Sequence, residues 1–447
     1  MRSKFDYWRR LVGVVGMVCL LAFAKHGVAA GPLAIQNAKI FTVSGEPIEG
    51  GTVLIRDGVI EAVGTDVDVP GEARVIDGEG MVVMPGYIDP HNASGMSQAN
   101  EQNSVVPFLS VVDSIDPIAT YFEECLRNGV TTAAVSPGNN TLIGGKAAIV
   151  KTAGQYVNDM IVVRDSALKI SLQPVSGSRM SHMARLRKEL DKAKKELAEE
   201  LEEESEDSDS KQDQEKKESS DTKKEDDSGD DKNAEAKKAV AKPEDEGMAA
   251  LKLAISGEMP VYLYCEVAMD VTAAMRLVED YELEPIFVLG RECHKAAKLL
   301  AGSGKTAILD PTLVFWETDP RTREDRKIAL PEIYSEAGMK YVFQVSPASS
   351  RGTVGSSYFW YQAATAVKYG LSEADALAAL TIEPAKLLGI DASVGSIEVG
   401  KDADLVVLTG DPLDMASWVQ YTIVGGEIVY DRDEDEKLER LLSPSAE

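Results

Sequence analysis

Histidine and cysteine are scarce in this chain. Of 447 residues, four are histidine and four are cysteine. Beyond residue 30 the only histidines are His91, His182 and His294, so a metal site built chiefly from imidazoles is excluded. The remaining thiols are Cys125, Cys265 and Cys293, too few and too odd in number for a disulfide framework. Three buried free thiols, or a single Cys265–Cys293 bridge, fit that count. No long apolar run follows the first two dozen residues, so no later segment reads as a membrane span. Positive charge is short as well: the net charge is −27, which argues against nucleic acid or an anionic membrane as partner. No G-x-S-x-G nucleophile turn occurs.

What is present begins at the N-terminus. Arg2, Lys4, Arg9 and Arg10 precede the uncharged apolar run Leu11–Ala24, and Val28-Ala29-Ala30 stands before Gly31. This is the layout of a secretory signal peptide over residues 1–30. The expected location is therefore outside the cytoplasm, periplasmic or secreted. A membrane anchor is the other reading, but the run of 14 residues is shorter than the roughly 20 that span a bilayer.

Charge is concentrated in one stretch. Lys188 to Glu246 contains 24 acidic and 13 basic residues. Met180 to Glu204 carries Leu186, Leu190, Leu197 and Leu201 at helical spacing, which predicts a charged helix. Residues 205–243 hold too little apolar surface to offset the entropy of ordering and read as a disordered charged insertion, a spacer or a tail for a basic partner.

The rest divides by periodicity. Short alternating runs with glycine punctuation fill residues 31–84 and return in 391–432, which predicts a composite β-sandwich from both chain ends. Between them, apolar strands alternate with helices, as in Pro260–Val267 followed by Asp270–Tyr281. That alternation predicts a parallel sheet covered on both faces, either a (β/α)8 TIM-like barrel over residues 85–390 or an open doubly wound sheet.

Four segments narrow the choice: MPGYIDPHNASGM (Met84–Met96), PGNNTLIGGKAAIVKTAG (Pro137–Gly154), ALTIEPAKLLGI (Ala379–Ile390) and GSIEVGKDADLVVLTGDPLD (Gly395–Asp414). Together they resemble the amidohydrolase superfamily, and in particular exported imidazolonepropionase-like amidohydrolases. The resemblance covers Leu33 to about Asp431, apart from the charged insertion. It implies a barrel with a β-sandwich and hydrolysis of non-peptide C–N bonds. In such proteins two histidines of H-x-H, a bridging Lys or Glu, two later histidines and a last-strand Asp hold metal at the C-terminal ends of the strands. The ion acidifies water and the Asp shuttles the proton.

Carried over position by position, the resemblance implies a degenerate site. The first histidine is His91, but the second falls on Ala93. The later ligands fall on Glu266 (beside Cys265), Leu289 before Gly290, and Val345; the bridging residue has no assigned position. Asp89, His91 and Glu266 remain as pocket-lining candidates, and Asp89 and His91 read equally as hydrogen-bonded core residues. No catalytic residue and no cofactor is assigned. The expected function is that of an inactive or impaired hydrolase relative, a pseudoenzyme binding an unknown small molecule or a partner. The alternatives are an active hydrolase with one weakly bound divalent ion such as zinc on His91 and Glu266, and a structural protein forming a homo-oligomer or pairing with an intact paralogue. Gly302-Ser303-Gly304-Lys305-Thr306 lacks the upstream glycine of a phosphate-binding loop and reads as a helix-to-strand turn. Adjacent residues on a helix point about 100° apart, so Cys293 and His294 form no catalytic pair.

Overall fold

The computed structural model describes residues 31–218, 245–345 and 357–442. The expected signal peptide lies outside them. Among the described residues no helix is long and apolar enough to cross a membrane.

The chain opens with β1 (Leu33–Ile40), β2 (Ile48–Arg56), β3 (Val59–Gly64), β4 (Arg74–Asp77) and β5 (Val82–Pro85). It enters the central body through β6 (Tyr87–Asn92), helix α1 (Thr120–Arg127), β7 (Val130–Val135), β8 (Ile143–Lys151) and β9 (Ile161–Ser171). Helix α2 (Arg179–Glu218), α3 (Glu246–Ile255), β10 (Val261–Cys265), α4 (Ala268–Tyr281), β11 (Pro285–Leu289) and β12 (Ala307–Ile308) follow. A hairpin, β13 (Val314–Thr318) with β14 (Asp325–Ala329), precedes β15 (Tyr341–Val342) and helix α5 (Phe359–Lys368). The last elements are β16 (Leu405–Leu408), β17 (Val419–Val424), β18 (Glu427–Asp431) and α6 (Glu436–Leu442).

The two chain ends do meet. One eight-stranded sheet runs β18-β17-β16-β5-β1-β2-β3, with β4 beside β1. It is a single continuous sheet rather than two separate layers. Ile55 and Ile60 share one core with Leu405, Val407 and Ile423, and the backbone of Ile60 bonds that of Lys401, so the sheet wraps on itself. The GKDAD segment makes the joint. Ala403 is fully buried; its amide donates to Gly58 and its carbonyl accepts from Gly426. Asp404 accepts Lys151 Nζ at 2.6 Å and the Gly425 amide at 2.8 Å, and Asp402 takes the same lysine at 2.7 Å. Lys151 on β8 belongs to the central body, so this ion pair ties the two sheets together. Burial works against the Lys151 charge, but the two carboxylates prevail and its pKa is raised above the ordinary value.

The central sheet runs β15-β12-β11-β10-β9-β8-β7-β6. Its strands are not all parallel, as the alternation had predicted: β8 is antiparallel to both β7 and β9. The β7–β8 connection is a short loop, and a parallel return would need a longer crossover. The edge strands approach each other beyond their ladders, where Asn92 Nδ2 donates to the Val345 carbonyl at 3.2 Å. Gly86 lies where a Cβ would meet the Thr131 side chain at 2.2 Å, which accounts for glycine in the turn from β5 into β6.

Helix α2 extends to Glu218, so the first part of the stretch expected to be disordered is helical; residues 219–244 lie outside the described ones. Leu186 and Leu190 are fully buried, while pairs such as Lys192–Glu196 and Lys195–Glu199 line its outer face. The segment after α4 confirms the helix-to-strand turn at 302–306, between a short helix Ala297–Gly302 and β12. All three described cysteines are free and buried.

Candidate functional site

Strand β6 is buried along its whole length, and its C-terminal half carries the polar residues. Asp89 and His91 are both buried and hydrogen-bonded, each to its own partners. Asp89 Oδ2 accepts from Asn92 Nδ2 and from the Tyr121 hydroxyl, both at 2.9 Å. Burial pushes its pKa up to about 7, against the pull of those two donors.

His91 is held from both sides. Its Nδ1 lies 2.9 Å from Gln344 Oε1, just after β15. Gln344 Nε2 donates to the Leu309 carbonyl at 2.8 Å, which leaves Oε1 as acceptor and places the imidazole proton on Nδ1. The lone pair is then on Nε2, which sits 2.7 Å from Lys169 Nζ on β9. Lys169 is fully buried, near the rings of Tyr262 and Tyr264 at 6.0 and 5.6 Å. Burial lowers its pKa to about 7. Burial, and the neighbouring Lys169, hold His91 well below its ordinary value, so the ring is neutral.

Three residues of this cluster, Lys169, Gln344 and Tyr121, were not singled out as site residues in the sequence. For Lys169 a signal existed: a lone lysine inside the apolar strand run Ala167-Leu168-Lys169-Ile170 is rarely buried without a purpose.

The other sequence-designated positions lie elsewhere or carry no donor. Glu266 follows β10 and faces away from this network: its side chain is 38% exposed, bonded to Gln173 and ion-paired with Arg179 at 3.2 Å. Among the described residues no hydrogen bond joins Glu266 to His91. Leu289 ends β11, buried, and Gly290 follows where a Cβ would meet the Glu266 carbonyl oxygen at 2.5 Å. The close backbone approach that requires this glycine is thus present, while the side chain before it is hydrocarbon. Val345 contributes its carbonyl to Asn92, and Ala93 has no polar atom beyond the backbone. His182 is bonded to the Ser171 carbonyl and His294 to that of Arg291, both away from His91.

A divalent ion needs several converging lone pairs. Among the described residues no group of three or more His, Cys, Asp and Glu is placed to supply them. Among the described residues the full ligand set that the resemblance implies is thus not assembled. Asp89 and Lys169 are two buried groups, with separate partners, whose pKa values burial moves to about 7.

The mixed central sheet, the composite sheet from both chain ends and the flanking helices make this an α/β protein. The comparisons make it more specific. A family model described as "Amidohydrolase family" matches residues 323–429. The "Amidohydrolase tasK" of Hapsidospora irregularis is 26% identical over 447 residues, covering 88% of this chain and 43% of that protein. The chain thus spans less than half the length of that relative. An "Imidazolonepropionase" of Bacillus cytotoxicus is 45% identical over 73 residues, 15% of this chain and 17% of that protein. The crystal structure of an amidohydrolase from Thermotoga maritima aligns with a TM-score of 0.71 at 25% identity, covering 90% of this chain and 100% of that one. The family model and the structural neighbour support the amidohydrolase superfamily, and with it a TIM-barrel-type α/β fold bearing an additional domain.

Proposed function

We propose that this protein is an exported amidohydrolase relative that has given up the metal centre and serves as a binding or partner protein rather than a hydrolase. The observation that carries the reading is the contact between Lys169 Nζ and His91 Nε2, 2.7 Å. A metal-binding imidazole donates through one nitrogen to an orienting acceptor and gives the other lone pair to the ion. His91 keeps the first half of that arrangement through Gln344. A lysine amine takes up the second half. Placing a cation beside that lysine would cost Coulomb energy in a buried site. Ala93, Leu289 and Val345, at the other positions assigned by the resemblance, offer no side-chain ligand. Without an ion to acidify water, the family's hydrolysis has no nucleophile at neutral pH.

Elemental analysis of the purified full chain tests this. The expected result is far less than one zinc, iron, manganese or nickel per chain, and a melting temperature unaffected by chelator. About one metal per chain, lost in His91→Ala, would overturn the reading and favour a remodelled mononuclear hydrolase.

A further inference from the structure

A second region invites a ligand, on the flank of the central body. Helix α1, strands β16 to β18 and helices α5 and α6 line an open cavity of about 560 Å3, in which Trp418 is 54% exposed. Its walls are mostly apolar and aromatic, with Phe359, Trp360, Trp418 and Leu438 among them. Helix α6 is fixed as one wall by Arg127–Asp435 at 2.6 Å and Lys437–Glu123 at 2.5 Å. Cavities of this size and lining are typical of small-molecule sites when a few polar groups converge on them.

One charged group stands out among the lining residues. Arg432 lines the cavity with its guanidinium 4.7 Å from the centre of the Trp418 ring. Among the described residues no carboxylate pairs with it, in a chain of net charge −27. The contact with the indole positions the guanidinium, a group whose N–H donors suit bidentate carboxylate recognition. The ring of Tyr87 adds to the apolar lining.

We propose that this cavity binds a small amphipathic carboxylate, its apolar body between Phe359, Trp360 and Trp418 and its head group on Arg432. The proposal does not rest on the fate of the metal centre. The two sites nevertheless touch: Tyr121 lines the cavity and donates to Asp89, and Val345 lines it and accepts from Asn92.

The test is a titration of the full chain with 4-phenylbutyrate, read by tryptophan emission, since Trp360 and Trp418 are two of its four tryptophans. The neutral 4-phenylbutyramide is the control, and Arg432→Gln, checked for parental circular dichroism, is the variant. Saturable binding of the acid is expected, weakened about tenfold or more both by the substitution and by amidation, as befits loss of a charge-assisted hydrogen bond. Equal binding of acid and amide, unchanged affinity in Arg432→Gln, or no saturable change below about 10 mM would each overturn the proposal.

Discussion

Replacing Asp404 with alanine is expected to destabilise the protein by about 3–5 kcal/mol, the cost of stranding one member of a buried ion pair. Asp404 is 4% exposed. Its removal leaves Lys151 with Asp402 alone, at the less buried end of the cluster, and strips the Gly425 amide of its acceptor. Because Lys151 stands on β8 and Asp404 precedes β16, the loss falls on the contact between the two sheets. A paired substitution separates this cost from mere packing. Lys151→Met with Asp404→Leu removes both charges together and should be less damaging than Asp404→Ala alone. Thermal unfolding of parent, single and double variants reads the order directly. A single variant within about 1 kcal/mol of the parent would mean that the joint is held by backbone bonds and packing, with the ion pair dispensable.

Much of this architecture was legible in the sequence, and the GKDAD segment shows why. Each of its residues has a task set by close packing: a buried alanine between two backbone bonds, and carboxylates aimed at one lysine. Local patterns of that kind survive in the sequence because few other residues satisfy them. The composite sheet was legible too, since alternating runs at both chain ends needed a partner face. Strand direction was not. A strand buried on both faces reads the same whichever way it runs, so Ile143–Lys151 gave no sign of being antiparallel to its neighbours. Nor was the full length of helix α2. Composition argued for disorder beyond residue 204, but a helix needs only backbone hydrogen bonds and opposite charges four residues apart to continue past its buried face. The polar cluster was half legible. Asp89 and His91 lie in a recognisable motif, whereas Lys169 and Gln344 come from distant strands and meet His91 only through the curvature of the central sheet. Glu266 carried the right chemistry in the sequence, but its partners are Gln173 and Arg179.

Lys169 also supplies the most informative test of the cluster. Lys169→Met is expected to stabilise the protein near pH 7 and to remove part of its pH dependence. The amine is buried, and its folded pKa lies at about 7 against an ordinary 10.5. Below pH 7 both folded and unfolded chains carry the charge, so the full burial penalty applies. Between pH 7 and about 10 the unfolded chain binds the extra proton, so this group's contribution to stability rises with pH. At about 1.4 kcal/mol per unit of displacement, the penalty at neutrality is on the order of several kcal/mol. Asp89 acts in the opposite sense. Its pKa is raised from 3.8 to about 7, so its contribution is complete at low pH and lost as pH rises from about 4 through 7. The two penalties therefore meet near neutrality. Methionine keeps the length of the lysine stem while removing the charge, at the cost of leaving His91 Nε2 without its donor, about 1–3 kcal/mol. The net gain at pH 7 should be about 1–3 kcal/mol, shrinking toward zero and then reversing as pH climbs to 9, where the parent amine is neutral and the hydrogen bond remains. Comparing variant with parent at pH 7, 8 and 9 cancels the titration of tyrosines and cysteines common to both. A variant equally destabilised at all three values would show that the lysine binds its proton equally in the folded and unfolded chains over this range, so that it stays charged in the site and its bond to His91 outweighs the cost of burial.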